Sequence, residues 1–86
     1  MTLRHYKIFL AVCDCMNMTA AAENLFLSQS AVSQAIAEME KHYGVRLFER
    51  MSRKLYLTTA GKKLMRYANQ IVRMDLEACL LYTSPS

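Results

Sequence analysis

The sequence predicts a mainly α-helical domain: three short helices, a small β-hairpin and one long closing helix. Three observations carry that expectation. Apolar residues recur at three- and four-residue intervals from Leu3 to Met39, the pattern turns strand-like between Leu47 and Thr58, and a further helical stretch runs to about Tyr82. At 86 residues with 53% apolar content, the chain can fill one modest core without disulfides or metal. No apolar run approaches the roughly 18–20 residues that a membrane span requires. Met1 to Tyr6 enter a helical pattern directly, without the charged, apolar and small-residue succession of a signal peptide, so a cytoplasmic location is expected.

The first helix is expected from Thr2 to about Cys13, with Leu3, Tyr6, Phe9, Leu10 and Cys13 on its apolar face and Thr2 as its cap. Asp14 to Met18 reads as a connector in which Asn17 caps a second helix, Met18 to Phe26, built on Ala20, Ala21, Ala22 and Glu23. Ser28 caps a third, whose buried stripe is Val32, Ile36 and Met39 and which stops at Gly44. Leu47-Phe48-Glu49-Arg50 and Leu55-Tyr56-Leu57-Thr58 are the arms of a hairpin around Met51-Ser52-Arg53-Lys54. Thr58 or Thr59 caps the last helix, Ala60 to Tyr82, which Pro85 cannot continue.

The formal net charge of +4 matters less than its distribution. Between Lys41 and Arg66, eight basic residues (Lys41, Arg46, Arg50, Arg53, Lys54, Lys62, Lys63, Arg66) meet one acid, Glu49, for a local balance of +7. Such a stretch suits a polyanion; a merely solvated surface is the plainer alternative. Metal chemistry is not indicated. Cys13 and Cys15 stand about 200° apart on a helix, and His5, His42 and Cys79 are isolated in sequence, so neither a metal nor a cofactor is expected. The thiols read as packing or surface residues in a reducing compartment. No nucleophile stands with a base, and no pair of acids is placed to work together, so an enzyme is not expected.

Two short helices joined by Phe26-Leu27-Ser28 fit either a helix-turn-helix or an ordinary helical hairpin. Ala21 and Ala22 permit a close crossing, with Leu25 and Val32 filling the angle. The free face of the third helix separates the two readings: Gln29, Ser30, Ser33, Gln34 and Ala37 are uncharged, where a merely soluble helix uses Glu, Lys or Arg. Gln pairs with adenine in bidentate fashion, Ser bonds either way, and Ala touches a thymine methyl. The neutral helix is thus suited to reading bases and the cationic hairpin to holding phosphates.

Four blocks at consistent separations extend this reading: Thr19-Ala20-Ala21-Ala22-Glu23-Asn24-Leu25, Ser28-Gln29-Ser30-Ala31-Val32-Ser33-Gln34-Ala35-Ile36, Gly44-Val45-Arg46-Leu47-Phe48-Glu49-Arg50 and Leu57-Thr58-Thr59-Ala60-Gly61. Together they resemble the N-terminal domain of LysR-type bacterial transcriptional regulators, from Leu3 to about Leu81. The resemblance implies a winged helix-turn-helix followed by a dimerisation helix, binding double-stranded DNA as a homodimer. It implies phosphate contact by Thr19, a major-groove position for Ser28, Gln29, Ser30, Ser33 and Gln34, and phosphate contacts by Arg50, Arg53 and Lys54 of the wing. Ser30 stands where the family often has proline, Gln34 where it often has arginine, and Ser52 where the wing turn often has glycine. Gln34 tilts the expected base from guanine toward adenine or a water-mediated contact.

The last helix carries two apolar stripes. Leu64, Tyr67, Ile71, Met74, Ala78 and Leu81 step by threes and fours as in a coiled-coil seam, and Met65, Ala68, Val72, Leu76 and Cys79 form the second. One face suits its own domain; the other suits a second copy, or else the remainder of a longer chain. The expected division is 1–58 for the winged domain, 59–82 for the dimerisation helix and 83–86 for a tail. The resemblance implies that a small-molecule effector would bind only in a larger C-terminal domain absent from these residues. The rival to a regulator is a protein-interaction module of the same fold.

Overall fold

The computed structural model describes the backbone of residues 1–83 and the side chains of residues 1–76. In chain order the elements are α1 (Leu3–Cys15), α2 (Met18–Leu25), α3 (Gln29–Tyr43), β1 (Phe48–Met51), β2 (Lys54–Leu57) and α4 (Thr59–Thr83). The expectations for Pro85 and the tail lie outside the described residues, as do the side chains of Ala78, Cys79 and Leu81.

Each helix boundary has a local cause. Thr2 opens α1, its hydroxyl 2.8 Å from His5 Nδ1. The helix runs two residues past its expected end, because Met16 takes a left-handed conformation (φ 48°) and its N–H closes on the Val12 carbonyl at 2.7 Å. The cost of that conformation in a side-chain-bearing residue is met by packing Met16 against the core. Asn17 and Ser28 cap α2 and α3 as the sequence indicates, accepting the N–H groups of Ala20 and Ala31 at 3.0 and 3.1 Å. Phe26 ends α2 with φ 57°, and Leu27 N–H returns to the Ala22 carbonyl at 2.9 Å, which sends the chain directly into α3.

The core is centred on Phe9, Val12, Val32, Met39 and Leu47, all fully buried. The expected stripe of α1 is only partly the observed one: Ile8 and Val12 are buried, whereas Tyr6, Leu10 and Cys13 merely lean on the core. The reason is that α1 packs on α2, α3 and α4 at once, which widens its buried arc beyond a single stripe. Ala21 and Ala22 are buried at the crossing, as expected. Phe48 carries the hairpin into the core, its ring centroid 5.5 Å from that of Phe9.

The hairpin is tighter than the sequence suggested. β1 and β2 pair antiparallel from Phe48 opposite Leu57 to Met51 opposite Lys54, so the turn contains only Ser52 and Arg53. Thr58, rather than Thr59, caps α4: its hydroxyl accepts Gly61 N–H at 3.0 Å, and its own N–H donates to the Leu47 carbonyl at 3.0 Å. Along α4, Ala68 is fully buried and Leu64 and Met65 pack on the core, while Tyr67, Met74 and Leu76 are exposed. Leu64, the first residue of the expected seam, is thus taken up by the chain's own core, and Tyr67 is the first of that stripe to be exposed.

Gly61 sits where the first turn of α4 crosses the start of the hairpin. A Cβ there would collide with the Leu47 carbonyl oxygen and lie 2.6 Å from Leu57 Cδ1. Backbone cannot retreat as a flexible side chain does. Gly61→Ala is expected to cost about 1–3 kcal/mol of stability by overpacking, read as a lower urea midpoint; an unchanged midpoint would show that α4 can shift freely.

Candidate nucleic-acid interface

The side chains chosen from the sequence fall into two groups in space. Thr19, Gln29, Arg50, Arg53 and Lys54 line one cleft of about 470 Å³, completed by Met16, Asn17, Met18 and Leu55. Its walls are the start of α2, the start of α3 and the hairpin. Ser30 and Gln34 lie outside it on the exposed surface of α3, and Ser33 is half-buried. The Ser28 hydroxyl is engaged in capping α3.

Local geometry explains why the cations face the helices. In β1, Phe48 and Arg50 share a face, because side chains alternate along a strand. Phe48 is buried, so Arg50 is carried on the inner side, opposite its cross-strand partner Leu55. Among the described residues the ion pairs are His5 with Glu38 and Arg46 with Glu40, so no carboxylate neutralises Arg50, Arg53 or Lys54. The N-terminus of α2 opens on the same cleft and adds its partial positive charge. Such a surface attracts anions.

At the tip, Ser52 and Arg53 both have positive φ, 50° and 64°. A two-residue hairpin turn demands this, and Asn-Gly satisfies it most easily. Here two ordinary L-residues hold it at about 1–2 kcal/mol each. The turn lifts Arg53 to the rim of the cleft.

On α3, Gln29 Nε2 donates to Ser33 Oγ at 3.0 Å, four residues on. Gln34 stands beside Glu38, its Nε2 3.5 Å from the carboxylate. The exposed face of α3 is therefore not wholly uncharged, as the residues up to Ala37 suggested. Glu38 in turn accepts from His5 Nε2 at 2.8 Å. That bond holds the Glu38 carboxyl below its ordinary value, against the cost of desolvation. Glu40, which the sequence did not single out, takes the Leu47 and Phe48 N–H groups on one oxygen, at 2.8 and 3.4 Å. Its distance of seven residues from Leu47 left no local signal. Cys13 is a packing thiol, pushed up to about 12 by burial and by nearby Asp14.

With a cationic hairpin set beside the second of two tightly joined helices, the chain falls in the winged helix-turn-helix class. Residues 3–62 match the model of the bacterial regulatory helix-turn-helix proteins of the lysR family. The chain belongs to the LysR family and corresponds to the DNA-binding domain of its transcriptional regulators. It is 39% identical over 87% of its length to the HTH-type transcriptional regulator MetR of Haemophilus influenzae, and 40% over 81% to the activator CmpR of a Synechocystis species. It spans only 24% and 23% of those two proteins. Among solved structures, the CbnR_DBD–DNA complex aligns with a TM-score of 0.86 at 35% identity, covering 91% of this chain and 90% of that one. The BenM_DBD/catB site 1 DNA complex aligns at 0.85 and 30% identity over 100% of both chains. Among the described residues no helix is long and apolar enough to cross a membrane.

The strained tip yields an opposed pair of outcomes. Arg53→Gly should raise hairpin stability by up to about 1 kcal/mol, since glycine accepts positive φ freely, and should weaken association with any DNA duplex. A variant that is both less stable and equally tight would contradict the placement of Arg53.

Proposed function

We propose that this chain is the operator-reading part of a LysR-type transcriptional regulator, working as a homodimer on double-stranded DNA of inverted-repeat symmetry. In this reading α3 lies in the major groove with Gln29, Ser30, Ser33 and Gln34 toward base edges. Ser28 begins that helix at the DNA surface, and Thr19, Arg50, Arg53 and Lys54 take flanking phosphates. The observation that carries it is the shared cleft, where Gln29 meets three cations that no described carboxylate neutralises. The likeness to the CbnR and BenM domains, both solved as DNA complexes, supports a DNA-binding role for this fold.

Residues 1–58 are the reading unit in this proposal, and 59–82 the dimerisation helix. Tyr67 and Met74, 62% and 67% exposed, lie seven residues apart on α4 and continue the heptad spacing of Ile71. A second copy would bury that stripe, and two-fold symmetry would impose the inverted repeat. Small-molecule sensing would belong to a part of the regulator that these residues do not span, and no cofactor takes part in the reading itself.

Titration with random-sequence duplex at low and high salt tests the central claim. Salt-sensitive binding is expected, and its absence would favour a protein-interaction module. Arg50→Ala should weaken binding to all sequences alike and lower the slope of log affinity against log salt by about one unit. A changed base preference at constant slope would contradict the phosphate role.

The dimer has its own test. Met74→Glu replaces an exposed side chain, so folding should be preserved, yet it would place two carboxylates at a symmetric seam at a cost of several kcal/mol. Sedimentation is expected to show monomers; an undiminished dimer would place the interface elsewhere.

A further inference from the structure

Another cleft, about 190 Å³ between the start of α1 and the middle of α3, is lined by Arg4, His5, Ile8, Ala31, Gln34, Ala35 and Glu38. It contains a chain of polar contacts running from the N-terminus to the surface of the reading helix. Thr2 N–H lies 3.4 Å from His5 Nδ1 and the Thr2 hydroxyl 2.8 Å from it, so Nδ1 is the accepting nitrogen. His5 Nε2 is then left to carry the proton and donate to Glu38 Oε2 at 2.8 Å. With Oε2 occupied, Oε1 is turned to the Gln34 amide.

At 3.5 Å the Gln34–Glu38 contact is a long hydrogen bond, and its length is not what decides the amide's sense. Charge is. The flipped amide would set a carbonyl oxygen against a carboxylate, whereas the observed one sets N–H there. Gln34 therefore turns its amino group along the helix toward Glu38 and leaves its carbonyl oxygen for whatever approaches from outside.

From this geometry we propose that Glu38, held by His5, orients the Gln34 amide so that it selects a base with an exocyclic amino group in the major groove. This rests on the reading above, in which α3 enters that groove. Adenine N6 and cytosine N4 donate there, while guanine O6 and N7 and thymine O4 only accept. A carbonyl edge backed by a negative charge accepts from the first pair and repels the second. Adenine gains most, because the remaining Gln34 N–H can reach its N7. Glu38 is thus a positioning residue, acting through Gln34.

Selection of bound duplexes from a random pool tests it, using the chain itself beside Glu38→Gln and Gln34→Ala. The parent should prefer adenine or cytosine at one position of each half-site. Glu38→Gln should lower that preference at least about fivefold, the lower end of what one base contact discriminates. Selection elsewhere should stay unchanged. Loss of the acid should also tighten binding to all DNA, a uniform effect that moves no base preference. If Gln34→Ala erases the preference and Glu38→Gln leaves it intact, Gln34 reads bases unaided and the positioning role is overturned. If neither variant alters any position, base reading by Gln34 falls, and the positioning role with it. A parent preference for guanine at that position would likewise overturn it.

Discussion

The Glu40 carboxylate is the joint on which the cationic cleft depends. It projects from α3 and accepts the N–H groups of Leu47 and Phe48, the two residues that lead into the hairpin. Hydrogen bonds to a charged acceptor contribute about 1.5–3 kcal/mol, and here they tie α3 to the wing. The other side of the joint is held by Thr58, which donates its N–H to the Leu47 carbonyl and caps α4 with its hydroxyl. Gly61 lets α4 close to within backbone contact of the same carbonyl. Three elements thus converge on one dipeptide. Leu47 and Phe48 also bury their side chains, so the position of the wing is a consequence of the core.

That joint makes the cleft possible. Arg50 is two residues beyond Phe48 on the same face of β1, and its inward direction follows from the burial of Phe48. The tip then bends back through two residues at positive φ, a conformation that lowers stability and brings Arg53 over the start of α2. Strain of this kind persists where the surrounding structure over-determines it, and it tends to gather at functional sites. The wing is therefore rigid at its root, where packing and Glu40 hold it, and strained at its tip, where the cations are.

Helix α3 shows the opposite arrangement. Its buried side, Val32, Ala35, Ile36 and Met39, is apolar and closely held, and on its outer side Gln29 pairs with Ser33 and Gln34 with Glu38 along the helix. Such i to i+4 pairs reduce the rotamer freedom that would be lost on contact with a ligand. His5 extends this order to α1, so the first helix supports the third at its surface and through the core.

The elements, their caps and the uncharged first half of the outer face of α3 were legible in the sequence, because periodicity and capping are set by neighbours three and four residues away, whereas Glu38 further along that face was not included. Asn17, Ser28 and Gly44 act where local rules put them. Also legible was the contrast between an uncharged Gln29–Gln34 stretch and a cationic Arg46–Lys54 hairpin, since composition alone separates the two. What tertiary structure alone decided is where long-range partners meet. Glu40 with Leu47, Gly61 against the Leu47 carbonyl, and His5 with Glu38 join residues that no period connects. The buried arc of α1 was wider than its stripe because three other helices surround it, and the two-residue turn followed from strand pairing that extends to Met51 and Lys54. Local chemistry determined the parts of this surface; the packing of Leu47 and Phe48 determined that the hairpin cations share one cleft with Thr19 and Gln29.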